Sequence, residues 1–78
     1  MALIKHLDQI NMDRNRVHGA VEATYTVFRG DHGKRYLQID TYGSPHRVFT
    51  GSKSQSIQFD EDSIRELKTI LDREFRNV

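Results

Sequence analysis

Hydrophobic and polar residues alternate along most of this chain and change to a helical period near its C-terminal end. Ile57 and Phe59 alternate with Ser56 and Gln58, a period of two that is typical of a half-buried strand. From residue 60 onward the apolar residues recur every three or four positions, which predicts one face of an amphipathic helix. They are Ile64, Leu67, Ile70, Leu71 and Phe75. The pattern therefore predicts a strand that leads directly into a helix over residues 60–76.

The start of this helix carries a strong capping signal. Asp60 lies at the position where a carboxylate can accept hydrogen bonds from the free backbone N–H groups of the first turn. Phe59 and Ile64 have the spacing of a hydrophobic staple, which fixes the angle between strand and helix. We therefore expect Asp60 to be the N-cap.

Upstream of the helix, the alternation predicts an antiparallel meander of about four strands within residues 17–59. Residues 17–28 and 34–42 form two strands joined by a turn at Arg29–Gly33, and a short strand at 46–50 precedes the last one. Residues 1–16 form an N-terminal segment that fits a helical turn or a ragged first strand equally well. The expected fold is a single α+β domain over residues 1–78, with one C-terminal helix packed on one face of the sheet.

The alternation also assigns the strand residues to two faces of the sheet. The apolar set, expected to face the helix, is Val21, Ala23, Tyr25, Val27, Leu37, Ile39, Ile57 and Phe59. The opposite set is Thr24, Thr26, Phe28, Tyr36, Gln38, Tyr42, Ser56 and Gln58. A two-layer domain leaves this second face without a helix, and its mixture of rings, hydroxyls and amides suits a flat ligand.

Size and composition limit the protein classes that fit. At 78 residues the core of one copy is small, so oligomerisation is the expected source of added stability, and a dimer is the simplest case. The chain has no cysteine, which excludes disulfides and thiolate metal sites. It has no apolar run of membrane-spanning length, and residues 1–6 lack the apolar core of a signal peptide. We expect a cytoplasmic protein with no membrane partner.

No motif in the chain indicates an enzyme. The four histidines do not fall at metal-ligand spacings, and no nucleophile elbow is present. The Arg29-Gly30-Asp31 tripeptide lies at the predicted hairpin turn, where glycine and aspartate are common, so it needs no functional explanation. We expect no catalytic residue, no metal and no cofactor.

Charge and aromatic residues favour a nucleic-acid ligand. Residues 1–59 hold eight Lys or Arg against five Asp or Glu, whereas residues 60–78 hold four against six, so the predicted sheet is basic and the helix acidic. Rings can stack on bases and cations can follow a phosphate backbone. The candidate binding residues are Phe28, Arg29, Lys34, Arg35, Tyr36, Gln38, Tyr42, Arg47 and Lys53. From the residues alone, the aromatics fit a dimer interface or a minor core equally well.

The run from Val21 to Leu71 resembles the single-stranded-DNA-binding domain of the transcriptional coactivator positive cofactor four and its small bacterial and phage relatives. The resemblance rests on the strand Tyr36–Tyr42, on the glycine-containing basic loop and strand Gly51–Phe59, and on the helix from Asp60. Two positions depart from the family's pattern. Asp40 lies near a position where the family often has a cation, and Gly43 near one where it often has an aromatic.

This resemblance implies a curved antiparallel sheet, a homodimer whose helices pair across a two-fold axis, and sheets that form channels for single strands. The interface residues would be Ile64, Leu67, Ile70, Leu71 and Phe75. The leading hypothesis is a non-enzymatic homodimer that binds single-stranded nucleic acid, DNA in preference to RNA, with little sequence preference. The alternative is a small protein–protein adaptor or regulator with the same fold and dimer.

Overall fold

A computed structural model describes residues 1–43 and 53–78 and confirms the α+β class. Four strands occur in this part of the chain: β1 (Ala2–Ile4), β2 (Ala23–Arg29), β3 (Arg35–Tyr42) and β4 (Lys53–Phe59). They form one open sheet in the order β1-β4-β3-β2. A single α-helix, α1 (Glu61–Glu74), follows β4 directly. The strand expected at residues 46–50 lies outside the described residues.

The sheet is mixed because the N-terminal segment joins it. Of the two alternatives for this segment, the strand is the one that forms, and it pairs parallel to β4 with Ala2 opposite Ile57 and Ile4 opposite Phe59. The other two strand pairs are antiparallel, as expected. The N-terminal segment also contacts the helix. Leu7 N–H donates to Glu66 Oε1 at 3.0 Å, and Lys5 Nζ lies 2.5 Å from Oδ2 of Asp60, the residue before the helix.

The β2–β3 hairpin is shorter than predicted, and the two glycines of its turn have different roles. The first strand begins at Ala23 instead of residue 17, and a 3-10 turn spans Asp31–Gly33. The positive φ angles belong to His32 (63°) and Gly33 (72°), while Gly30 has a φ of −93°. Gly30 is needed for space, because a Cβ there would lie 2.7 Å from Cε1 of the Tyr36 ring.

Strand register confirms the predicted division of the sheet into two faces. Val27 lies opposite Leu37, which lies opposite Phe59, so these three apolar residues form one row across the sheet. Helix α1 packs on this face, where Ile64 lines a cleft of about 390 Å³ together with Val27 and Leu37. The helix covers the face only in part, since Tyr25 and Val27 on β2 remain 75% and 59% exposed.

The structure confirms Asp60 as the N-cap of α1, and two reciprocal hydrogen bonds join it to Ser63. Asp60 Oδ1 accepts from the backbone N–H of Ser63 at 2.9 Å, and Ser63 Oγ accepts from the backbone N–H of Asp60 at 3.0 Å. These reciprocal bonds form a capping box, which satisfies two backbone donors that the first turn would otherwise leave free. The helix ends at Glu74, slightly before the predicted residue 76. In the part of the chain that the structure describes, no helix has the length and apolar character needed to cross a membrane.

Candidate nucleic-acid interface

The face of the sheet opposite α1 gathers most of the predicted binding side chains. We call it the polar face; it comprises Thr24, Thr26, Phe28, Tyr36, Gln38, Asp40, Tyr42, Lys53, Ser56 and Gln58. Since side chains two residues apart point to the same side of a strand, β3 places Tyr36, Gln38, Asp40 and Tyr42 in line along its centre. The strand pairing then adds neighbours from β2 and β4 on either side.

One end of the polar face carries a pair of aromatic rings. Phe28 lies directly opposite Tyr36 in the β2–β3 register. Their ring centroids are 5.6 Å apart and the ring planes differ by 20°, a stacked arrangement. Phe28 is 37% exposed. The pair provides a ring surface at the edge of the sheet that a flat aromatic ligand can contact.

Next to the rings, toward the centre of the face, the side chains of Gln58, Gln38 and Asp40 form a hydrogen-bonded chain. Gln58 Nε2 donates to Gln38 Oε1 at 2.8 Å. Gln38 Nε2 in turn donates to both carboxylate oxygens of Asp40, at 3.0 and 3.1 Å. The amide of Gln38 is therefore held in one orientation, because its oxygen and its nitrogen have different partners, and it holds the amide nitrogen of Gln58 through its oxygen.

Asp40 is the acceptor at the centre of this network and is buried, with 2% of its surface exposed. Ser56 Oγ donates to Asp40 Oδ1, and Lys53 Nζ lies 3.2 Å from Oδ2. The hydrogen bond from Ser56, supported by those from Gln38 and Lys53, lowers the pKa of the Asp40 carboxyl below its ordinary value. Asp40 thus stays charged near neutral pH and offsets the charge of Lys53.

The predicted cations are divided among different parts of the molecule. Lys53 belongs to the polar face, and Lys34 lines a depression that also includes Tyr36. Arg29 and Arg35 lie opposite each other, two positions from the Val27–Leu37 pair, which puts them on the helix side of the sheet. There Arg35 Nε contacts Glu61 Oε2 at 3.4 Å, and Arg29 Nη1 donates to the carbonyl of Gly33 at 2.7 Å. Arg47 lies outside the described residues.

Tyr42 lies at the other end of the face from the aromatic pair. Its hydroxyl is 3.0 Å from Thr24 Oγ1, a hydrogen bond that ties β3 to β2. A register irregularity between Thr41 and Tyr42 brings Lys53 opposite Tyr42. The polar face therefore has one ring pair at the hairpin turn and a single ring beside a lysine at the other end.

The residues proposed for a helix interface differ in their exposure. Ile64, Leu67 and Ile70 are half-buried against the sheet side of the molecule. Leu71 and Phe75 are 47% and 55% exposed and line a shallow groove near the end of α1. The apolar stripe on the helix therefore extends beyond the part covered by its own sheet.

Three residues of the site region were not recognised as such from the sequence. Alternation within each strand puts Ser56 and Asp40 on the polar face, but their mutual hydrogen bond depends on the β3–β4 register. Lys5 lies in the segment of uncertain structure, and its contact with Asp60 depends on β1 pairing with β4. The parity of β2 and β3 did carry a signal for Arg29 and Arg35, since each lies two residues from an apolar position on its own strand, Val27 or Leu37.

Comparisons of the chain with protein-family models, with curated proteins and with solved structures gave no match.

Proposed function

We propose that this chain is a non-enzymatic homodimeric module that binds single-stranded nucleic acid, DNA in preference to RNA, with little sequence preference. The observation that carries the proposal is the stacked pair Phe28–Tyr36 beside the oriented amides of Gln38 and Gln58, on the side of the sheet opposite α1. Every base has a ring face, so stacking on aromatic side chains tolerates any sequence. The preference for DNA rests on the resemblance to the positive cofactor four domain.

Electrostatics supports binding that is weak and moderately sensitive to salt. Lys53 is held against Asp40, so a phosphate must compete with that carboxylate for it. Arg35 is paired with Glu61 on the helix side. Stacking on Phe28 and Tyr36 then supplies most of the binding free energy, and Lys34 and Lys53 supply a smaller term from counterion release.

The size of the core supports the homodimer. Phe59, 5% exposed, is the one large apolar residue that is buried in the part of the chain the structure describes. A small domain with so little buried apolar surface gains stability by association. The exposed Leu71 and Phe75 extend the apolar stripe of α1 and provide a surface on which a second helix could pack.

A binding titration with matched tyrosine variants tests the proposal. Fluorescence anisotropy of a labelled single-stranded DNA should show binding that weakens as salt rises, with an RNA strand and a DNA duplex as competitors. Tyr36→Ala should weaken binding roughly 5- to 100-fold with little change in the salt slope, because it removes a stacking ring and no charge. Tyr25→Ala is the control, since Tyr25 lies on the opposite face and is 75% exposed. The variants are compared under conditions where sedimentation shows the same oligomeric state for both.

Two results would reject this function. Absence of salt-dependent binding to single strands at low ionic strength removes the nucleic-acid proposal altogether. Equal losses in Tyr36→Ala and Tyr25→Ala would show that the polar face has no special role. In the first case the protein–protein adaptor becomes the better proposal, favoured by the exposed apolar side chains Tyr25, Val27 and Phe75.

A further inference from the structure

The strand β2 forms one edge of the sheet, and all seven of its residues are exposed. The opposite edge is β1, which has only three residues. A very short edge strand offers little to a partner, whereas a long exposed one is a template for pairing with another strand. Among the described residues, β2 is therefore the edge best suited to add a strand.

The hydrogen-bond pattern shows which backbone groups β2 offers. Gly30 N–H donates to the carbonyl of Lys34 at 2.8 Å, and Tyr42 N–H donates to the carbonyl of Glu22 at 3.1 Å. In an antiparallel ladder the bonded pairs alternate, so the even-numbered residues of β2 bond to β3. The N–H and C=O groups of the odd-numbered residues point away from β3. These residues are Ala23, Tyr25, Val27 and Arg29.

Nothing in the sequence of β2 blocks pairing at this edge. It has no proline and no lysine, and its register with β3 runs without a bulge from Ala23 to Arg29. Its central residues are Thr, Tyr, Val and Phe, which favour the extended state. Proteins commonly protect long edges by a charge, a proline or a bulge, and β2 has a single charge at its very end.

We propose that β2 pairs antiparallel with β2 of a second copy of this chain. In the register centred on Thr26, Tyr25 of each copy faces Val27 of the other, and an aromatic residue opposite a β-branched one is a favourable cross-strand pair. Arg29 then faces Ala23, so the two arginines lie at opposite ends of the paired strands. Parallel pairing would bring the arginines together, which disfavours it.

This contact is separate from the helix stripe and does not depend on nucleic-acid binding. It joins two four-stranded sheets into one continuous sheet. Their polar faces then lie on the same side, with the two Phe28–Tyr36 pairs flanking the two-fold axis. Where the polar face does bind a single strand, the paired sheets offer it a surface twice as long.

Amide hydrogen exchange resolved by residue tests the pairing, because odd and even amides of β2 have different partners. At high protein concentration we expect slow exchange at Tyr25 and Val27, and faster exchange at both after dilution. Thr24, Thr26 and Phe28 should exchange slowly at both concentrations, since β3 protects them. Sedimentation velocity on the same samples reports the oligomeric state.

Variants at Val27 separate this contact from the others. Val27→Pro removes an outward N–H and no bond to β3, so Thr26 should stay protected while Tyr25 loses its slow exchange. Val27→Lys keeps the backbone donor and adds a charge at the edge of the sheet, which disfavours strand pairing. This variant replaces Val27→Pro as the test if the proline variant unfolds. Leu71→Asp, on the helix, should leave the protection at Tyr25 unchanged.

Two outcomes overturn the proposal. One is fast exchange at Tyr25 and Val27 in samples that sediment as oligomers, which would place the contact elsewhere. The other is slow exchange at these amides in samples that sediment as monomers, which would identify a strand from the same chain as the partner of β2.

Discussion

The capping box of α1 allows one perturbation to be worked out from its contacts. Ser63 is fully buried, and its Oγ is the acceptor for the backbone N–H of Asp60 at 3.0 Å. Ser63→Ala removes this acceptor and leaves a buried donor unsatisfied, which costs about 1–3 kcal/mol. The higher helix propensity of alanine returns about 0.5 kcal/mol. We therefore expect the free energy of unfolding to fall by about 0.5–2.5 kcal/mol.

Thermal unfolding followed by circular dichroism measures this change. For a domain of this size, a loss of 1 kcal/mol lowers the midpoint by about 4–8 °C, so Ser63→Ala should melt roughly 2–20 °C below the parent. All samples need the same protein concentration, because the midpoint of an associating protein depends on it. The amide of Ser63 still donates to Asp60 Oδ1 in this variant, so the helix should persist.

Thr69→Ala is the matched control. Its hydroxyl also donates within the helix, to the carbonyl of Arg65 at 3.0 Å, but Thr69 is exposed and satisfies no buried donor. Its midpoint should stay the same or rise slightly, because alanine has the higher helix propensity. A Ser63→Ala midpoint within about 2 °C of the parent would contradict the assignment of a structural role to the second half of the capping box.

Three further predictions concern the polar face, acid stability and the helix stripe. Asp40→Asn frees Lys53 for a phosphate, so it should tighten binding to single-stranded DNA. The slope of log binding constant against log salt concentration should steepen by about 0.7, the value for one added contact. An unchanged slope contradicts the ion pair between Lys53 and Asp40. The contact with Lys5, and the bonds from Ser63, lower the pKa of Asp60 in the folded protein. The Asp60 carboxylate therefore stabilises the fold at pH values above 3.8, its pKa in the unfolded chain. This stabilisation is lost as the pH falls through the lower pKa of the folded state. Lys5→Met should therefore make the melting temperature fall less steeply on acidification, and parallel curves for parent and variant would refute the linkage. Leu71→Asp should dissociate the proposed helix dimer and keep the fold, because Leu71 is 47% exposed in one copy; sedimentation showing an intact dimer would exclude it from the interface.

Much of the fold follows from local signals in the sequence. The alternation in β2, β3 and β4 placed the residues of the two predicted sets on the correct faces, because the side-chain period of a strand is fixed at two. Asp60 was identifiable as the N-cap because its position relative to the apolar stripe leaves few other choices. The sequence placed Phe28 and Tyr36 on one face, and the hairpin register then brings the two rings together.

The remaining features depend on contacts between residues far apart in the chain. Strand β1 pairs with β4 across more than fifty residues, and its three residues carry too little pattern to distinguish a strand from a helical turn. The burial of Asp40 depends on side chains from two strands, and alternation gives the face of a residue but not the packing around it. In the sequence Asp40 is a departure from the family's pattern, at a position that often has a cation, whereas in the fold it is the acceptor that orders its neighbours.

The position of Asp40 explains why a carboxylate can lie at the centre of a surface proposed to bind a polyanion. Its charge is offset by Lys53 and its oxygens are occupied by Ser56 and Gln38, so a ligand meets a nearly neutral surface. The same bonds fix the amide of Gln38 and, through it, that of Gln58. Groups fixed before binding lose less conformational entropy when a ligand arrives. Asp40 therefore contributes by ordering the polar groups beside the Phe28–Tyr36 pair, at the expense of one cation that would otherwise attract phosphate.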